Sequence, residues 1–150
     1  MSTVISQVRD EVNKLVETCH DGEAGFRAAA EAISNRTIKA EMMQYSRQRL
    51  EFAGELEKAV EELGESPAGE GSMAGAVHRG WIHLIKAVGS SDHAVLAACE
   101  RGEDSAVSAY RAALNTTLPG RVGALVSSQY QAVKRTHDRI KLLRDAADNH

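Results

Sequence analysis

Apolar and small residues recur at spacings of three and four from the start of the chain: Ile5, Val8, Val12, Leu15, Cys19, Gly22, Phe26, Ala29 and Ile33. One face of a single long helix, about 3–34, accounts for that spacing. "NRT" interrupts it. A second helix, about 37–63, carries Ile38, Met42, Tyr45, Arg49, Phe52, Leu56, Ala59 and Leu63 on its inner side and stops at Gly64, a residue suited to a helix C-terminus. After the linker-like "ESPAGEGS", the positions Ala74, Val77, Trp81, Leu84 or Ile85, and Val88 predict a shorter amphipathic helix ending at Gly89. Ser91 or Asp92 can cap the next helix, which runs to about Leu114 through Leu96, Cys99, Glu103, Ala106 or Val107, and Tyr110. "NTTLPG" turns the chain into a last helix, about 119–147, with Val122, Val126, Gln129, Val133, Ile140 and Leu143 inward.

Helices of roughly 24 to 32 residues are about 35 to 48 Å long. Short turns pair the first with the second and the third with the fourth, giving two antiparallel hairpins. The connection between them, about 64–90, contains the short fifth helix, long enough at roughly 25 Å to carry the chain back along the bundle. The expected architecture is therefore all-α: a ferritin-like four-helix bundle with one crossover, in a single domain over residues 1–150. A five-helix bundle without crossover symmetry is the competing arrangement.

Composition agrees with this and removes several function classes. Hydrophobic residues at 43% and charged residues at 26% describe an ordinary globular chain. A net charge of −3 argues against nonspecific nucleic-acid binding. The stripe Arg121, Lys134, Arg135, Arg139, Lys141 and Arg144 on the last helix is read as solvated or paired with acids such as those of "ELEKAVEELGE". No apolar run reaches the roughly 20 residues that span a bilayer. "MSTVISQVRDEV" lacks the apolar region of a secretory signal, so two reduced cysteines in a cytoplasmic protein are expected.

Each cysteine opens the same pattern, Cys-x-x-Gly-Glu: Cys19-His20-Asp21-Gly22-Glu23 and Cys99-Glu100-Arg101-Gly102-Glu103. Duplication of a helical hairpin would produce such a repeat. Counting outward from the turns places Glu23 beside Gln48 and Arg49, Glu103 near Tyr130, and His137 about one turn from Glu100. A polar layer at mid-bundle is expected from Glu23, Gln48, Arg49, Glu103, and Gln129 or Tyr130, with Gly22 and Gly102 in it. Each glycine costs about 1 kcal/mol relative to Ala in a helix, which close backbone approach or a local kink would explain. The same count separates Cys19 from Cys99 by about 10 Å, beyond the roughly 7 Å that a disulfide spans, so both are expected as buried thiols. Trp81 is expected to dock the crossover, with a dimer contact as the other use of its ring.

"ETCHDGEAGFRAAAEAI", "YSRQRLEFAGELEKAVEELG", "GSMAGAVHRGWIHLIKAV", "AACERGEDSAVSAYRAAL" and "THDRIKLLRDA" together resemble a bacterial family of about 150-residue ferritin-like four-helix-bundle proteins without established activity. The resemblance implies a comparison with di-iron bundles, which use one Glu from each of two helices plus Glu-x-x-His from each of the other two. Glu23 and Glu103 match the lone carboxylates. The paired motifs depart: Lys134 precedes His137 by three, and the second helix offers Gln48-x-x-Glu51. An iron or manganese site would therefore need the non-standard set Glu23, Glu103, Glu100, Glu55 and His137, facing an interior Arg49. The main expectation is no cofactor and a buried layer that only pairs charges.

Neither cysteine has a neighbouring base, and no glycine-rich phosphate loop is present. The sequence thus supports a non-catalytic binding or stress-associated protein whose polar layer is a degenerate metal site, able to form a homo-oligomer, with no identified small-molecule substrate. The alternatives are a non-haem iron or manganese protein or oxidase and a dimerising interaction module.

Overall fold

The computed structural model describes residues 2–65, 81, 85–86 and 91–147. Four helices make up the bundle: α1 (Ser2–Ala32), α2 (Arg36–Glu62), α3 (Asp92–Leu114) and α4 (Gly120–Ala147). Each lies within two residues of its expected bounds at both ends. Of the predicted crossover helix, Trp81, Ile85 and Lys86 are described and helical; the rest of that expectation lies outside the described residues.

Local chemistry sets the helix ends. Asn35 caps α2, its Oδ1 accepting from the Ile38 amide at 3.0 Å, and Ser91 caps α3, its Oγ accepting from the Ala94 amide at 3.1 Å. At the other end of α2, Gly64 takes φ +80° and lets the Gly64 and Glu65 amides turn back to the Glu61 and Val60 carbonyls. That left-handed closure is the one glycine uses most readily. Asp92 fixes the topology. Its carboxylate accepts from the backbone amides of Ser34 and Asn35, at 2.8 and 3.1 Å, so α3 starts beside the α1–α2 turn. The second and third helices therefore run parallel, as a crossover requires. The first helix packs along both α2 and α3, while α4 packs mainly on α3 and touches α2 sparingly.

The interior divides into two apolar clusters. One contains Val12, Leu15, Cys19, Leu56, Tyr110 and Val126; the other contains Phe26, Met42, Trp81, Leu96, Cys99 and Ile140. Between them lie Gly22, Ser46, Arg49, Glu103 and Thr136, a polar stratum drawn from all four helices.

Trp81 enters the second cluster through a slot made by two glycines. A Cβ on Gly25 would stand 2.2 Å from the indole Cδ2 and Cε2, and one on Gly102 would stand 2.6 Å from Cε2. Phe26 meets the indole edge-on, with ring centroids 5.3 Å apart. Only 8% of Trp81 is exposed, so its ring is spent on docking the crossover and offers no surface for a dimer contact. Ile85, one turn further on, is buried as well.

The slot makes a direct prediction. Gly102→Ala should lose stability by about 1–3 kcal/mol through overpacking, despite alanine's better helix propensity. Emission from the single tryptophan should shift to the red as the ring is displaced. A higher melting temperature with unchanged emission would contradict the wedge.

Candidate functional site

Arg49 of α2 and Glu103 of α3 face each other across the diagonal of the bundle, 1% and 0% exposed. The guanidinium Nη1 donates to Glu103 Oε1 at 2.6 Å and Nη2 donates to Oε2 at 2.5 Å. This fork-on-fork pairing uses both carboxylate oxygens and supplies the opposite charge that a buried ion requires. On its other side the guanidinium lies 5.3 Å from the centre of the Phe26 ring. Gly22 makes room: a Cβ there would be 3.2 Å from Arg49 Cγ and Nη1. Burial alone would lower the affinity of Arg49 for its proton, but the charge and hydrogen bonds of Glu103 more than offset it, so its pKa stands above the ordinary value. Arg49 Nε has no hydrogen-bond partner among the described residues.

A second buried network runs beside the pair. The Tyr110 hydroxyl donates to Gln129 Oε1 at 2.7 Å, and Gln129 Nε2 donates to Glu55 Oε1 at 2.9 Å and to the Phe52 carbonyl at 3.3 Å. With its only proton engaged, the Tyr110 oxygen is the acceptor for the Cys19 thiol, 3.2 Å away. Burial pushes the Cys19 thiol up to about 11, although the Tyr110 hydrogen bond and the Arg49 charge offset part of that rise. Burial and the charge of Glu103 raise Cys99 as well. Both cysteines are free, buried and protonated at neutral pH, which suits packing rather than nucleophilic chemistry. Glu55 brings the network to the surface, on the rim of a groove of about 460 Å³ between α2 and α4 that is floored by Ala59, Leu63, Val122 and Leu125.

The remaining expected site residues point in different directions. Glu23 is partly exposed and pairs with Arg27 at 3.0 Å, while its backbone carbonyl accepts from Ser46. Glu100 accepts from Arg144. The Tyr130 hydroxyl accepts from Arg111 Nε at 3.0 Å and does not reach Glu103. His137 lies against Asp104 and Asp138, at 2.7 and 3.2 Å, one helical turn from Glu100 as the count expects. Gln48 is half-buried, and its Oε1 lacks a partner among the described residues. No three His, Cys, Asp or Glu side chains converge as a metal set would among the described residues.

The fourth-helix register accounts for much of this difference. Every Cα–Cβ bond tilts toward its own helix N-terminus, so side chains meeting across an antiparallel pair are offset from a count made on residue numbers. Asp104 thus meets His137, Tyr110 meets Gln129, and Thr136 replaces Gln129 or Tyr130 in the polar stratum. Thr136 Oγ1 satisfies itself on the Ala132 carbonyl at 3.1 Å. On the basic stripe, Arg121 pairs with Glu62, Lys134 with Asp138, Arg139 with Glu41, and Arg144 with Glu100 and Asp145.

Sequence reasoning passed over Asp21, quoted only as filler in the first repeat. It is 5% exposed, and its Oδ1 has no hydrogen-bond partner among the described residues. Burial, with the charge of Glu17 one turn away, raises its carboxyl to about 7. The available signal was its position one helical turn before Gly25, on the face that receives Trp81.

Comparison with known proteins places this geometry in a lineage. The profile of a family described as a domain of unknown function (DUF2383) matches residues 7–116. Among solved structures, a point mutant of Dps1 from Mycobacterium smegmatis superposes with a TM-score of 0.79 at 15% sequence identity, over 96% of this chain and 99% of that chain. The likeness establishes the ferritin-like four-helix bundle. Curated protein sequences give no significant match.

Two stability experiments follow. Arg49→Met or Glu103→Gln alone should cost about 3–5 kcal/mol in urea unfolding, because each leaves one member of the pair buried without its counter-charge. Arg49→Met combined with Glu103→Leu should recover most of that loss, whereas additive losses would refute the coupling. For Asp21, rising pH between the ordinary carboxylate range and about 7 removes the proton from the unfolded chain before the folded one, so folding is penalised progressively. Asp21→Asn should therefore gain stability over the parent as pH rises from 4 to 7 and hold that gain above; a pH-independent difference would refute this assignment.

Proposed function

The chain belongs to the DUF2383 family, and from that premise we propose that it is a non-catalytic, cytoplasmic binding protein whose interior holds an ion pair in place of a metal centre. One observation carries the reading. Glu103 is buried and engaged at both oxygens by Arg49. Di-iron bundles need their carboxylates free to bridge and neutralise two dications, and a guanidinium at that position opposes the same charge. The other carboxylates and the histidine considered as ligands are held by Arg27, Arg144, Gln129 and Asp104 in separate directions. The residues present therefore do not fit a di-iron or di-manganese group.

Binding on this reading uses the outside of the bundle. The groove between α2 and α4 supplies a concave surface, and the outer helix faces are open to self-association. Nucleic acid is a poor partner, since the net charge is −3 and most of the basic stripe on α4 is paired within the chain.

The test is metal retention. Untagged protein incubated anaerobically with ferrous iron or manganese and then desalted should keep far less than one equivalent by mass spectrometry. Retention of about two equivalents, lost on Glu103→Gln, would overturn the proposal in favour of a metal protein with non-standard ligands.

A further inference from the structure

Several polar contacts join α3 to α4 among the described residues, including Tyr110 on Gln129 at 2.7 Å and His93 Nδ1 at 3.3 Å from the Arg144 carbonyl oxygen. Glu100 accepts from Arg144, Asp104 Oδ1 lies 2.7 Å from His137 Nε2, and Arg111 Nε donates to the Tyr130 hydroxyl at 3.0 Å. Arginine, glutamate and tyrosine ordinarily keep one charge state from mildly acid to mildly alkaline pH, whereas histidine does not. Two of the seam contacts involve histidine, and His137, set between two carboxylates, is one where a gained proton creates an ion pair to the opposite helix.

Its geometry already specifies a protonation state. His137 is held at both ring nitrogens, with Nε2 on Asp104 of α3 and Nδ1 3.2 Å from Asp138 of its own helix. A neutral imidazole has one N–H, so it would donate to one carboxylate and turn a lone pair toward the other. The imidazolium donates to both. The His137 side chain is 18% exposed while Asp104 and Asp138 are 62% and 60% exposed, so the contact is a solvent-screened one of modest strength.

The surrounding charges favour the same form. Asp104 is the acid that α3 presents to the ring; Glu100, one turn before it, is engaged by Arg144. On α4 itself Asp138 faces the ring and also takes Lys134 at 3.7 Å. Toward α2, Arg139 of the same helix is paired with Glu41. We propose that His137 is a proton-operated latch, tying α4 to α3 through Asp104 when protonated and loosening that seam when the proton leaves.

Partial burial lowers the pKa of His137, but hydrogen bonds to Asp138 and Asp104 outweigh it and raise the net value above 6.5. A raised histidine contributes its full stabilisation below the unfolded value and loses it as pH rises through the folded one. Loosening is felt first beyond the latch, over Thr136–Ala147, where Ile140 and Leu143 cover the second apolar cluster.

Amide hydrogen exchange of residues 136–147 in the full chain, at pH 6.0 and 8.5 and corrected for intrinsic rates, reads the latch directly. Protection should fall at the higher pH by up to about fivefold, the range of a partly exposed ion pair. His137→Gln and Asp104→Asn should each flatten that dependence. Glu100→Gln should lower protection equally at both pH values, because it removes a contact to an arginine and leaves His137 and Asp104 in place. Asp21 adds a pH dependence of the same sign, but it and His93, which contacts the Arg144 carbonyl, are unchanged in all three variants, so the differences between them isolate His137. An NMR titration supplies the second reading: Asp104→Asn should move the His137 midpoint down. An unmoved midpoint, or wild-type protection over this segment that varies with pH no differently from Asp104→Asn, would overturn the latch.

Discussion

A charged pair buried at the centre of a helical bundle constrains everything around it. Arg49 reaches across the diagonal between two parallel helices, and both nitrogens of its fork are matched to both oxygens of Glu103. Sliding one helix by a turn, about 5.4 Å, would leave two charges without partners in an apolar interior. The pair thus selects one register of α2 against α3. It also lies between the two apolar clusters into which the described core residues divide. Gly22 on α1 is part of the same arrangement, because the arginine stem passes where a side chain would stand.

The second constraint is the way the crossover attaches. Trp81 lies against two helix backbones at once, and neither Gly25 nor Gly102 could carry a Cβ with the indole in place. This casts the repeated Cys-x-x-Gly-Glu motif in physical terms. Both cysteines became buried small hydrophobes. The two motif glycines then took different neighbours, Arg49 for Gly22 and Trp81 for Gly102. The two glutamates diverged furthest, one buried on an arginine across the core and one at the edge on a neighbour four residues away. A shared sequence pattern places residues at matching positions along a helix. It does not decide which way the helix turns them.

That distinction marks how much was legible in the sequence. Helix identity, helix bounds, the crossover topology and the burial of both cysteines follow from periodicity, capping residues and helix length, all of which are local. The interior meeting of Arg49 and Glu103 was within reach because both lie on apolar faces. Partners across α3 and α4 were not, since a few residues of axial offset decide whether Glu103 meets Tyr130 or Asp104 meets His137. Gly25 and Asp21 were invisible for another reason. The role of Gly25 depends on an indole arriving from a distant segment, and that of Asp21 on how deeply the packed helices bury it.

The two kinds of polar group in this molecule now separate by what solvent can do to them. Arg49 and Glu103 are closed to water and matched in charge, and together they fix the packing of the helices. Asp21, buried, and His137, partly exposed on the α3–α4 seam, each bind a proton more firmly than an isolated side chain would. Between pH 4 and 7 the folded chain consequently binds more protons than the unfolded one at these two groups, and linkage makes their combined contribution favour mild acid. On the proposed reading the centre of this bundle holds the fold, whereas in a di-iron bundle the centre carries the chemistry. The same four helices support either design, and that reading rests on Arg49 engaging both oxygens of Glu103.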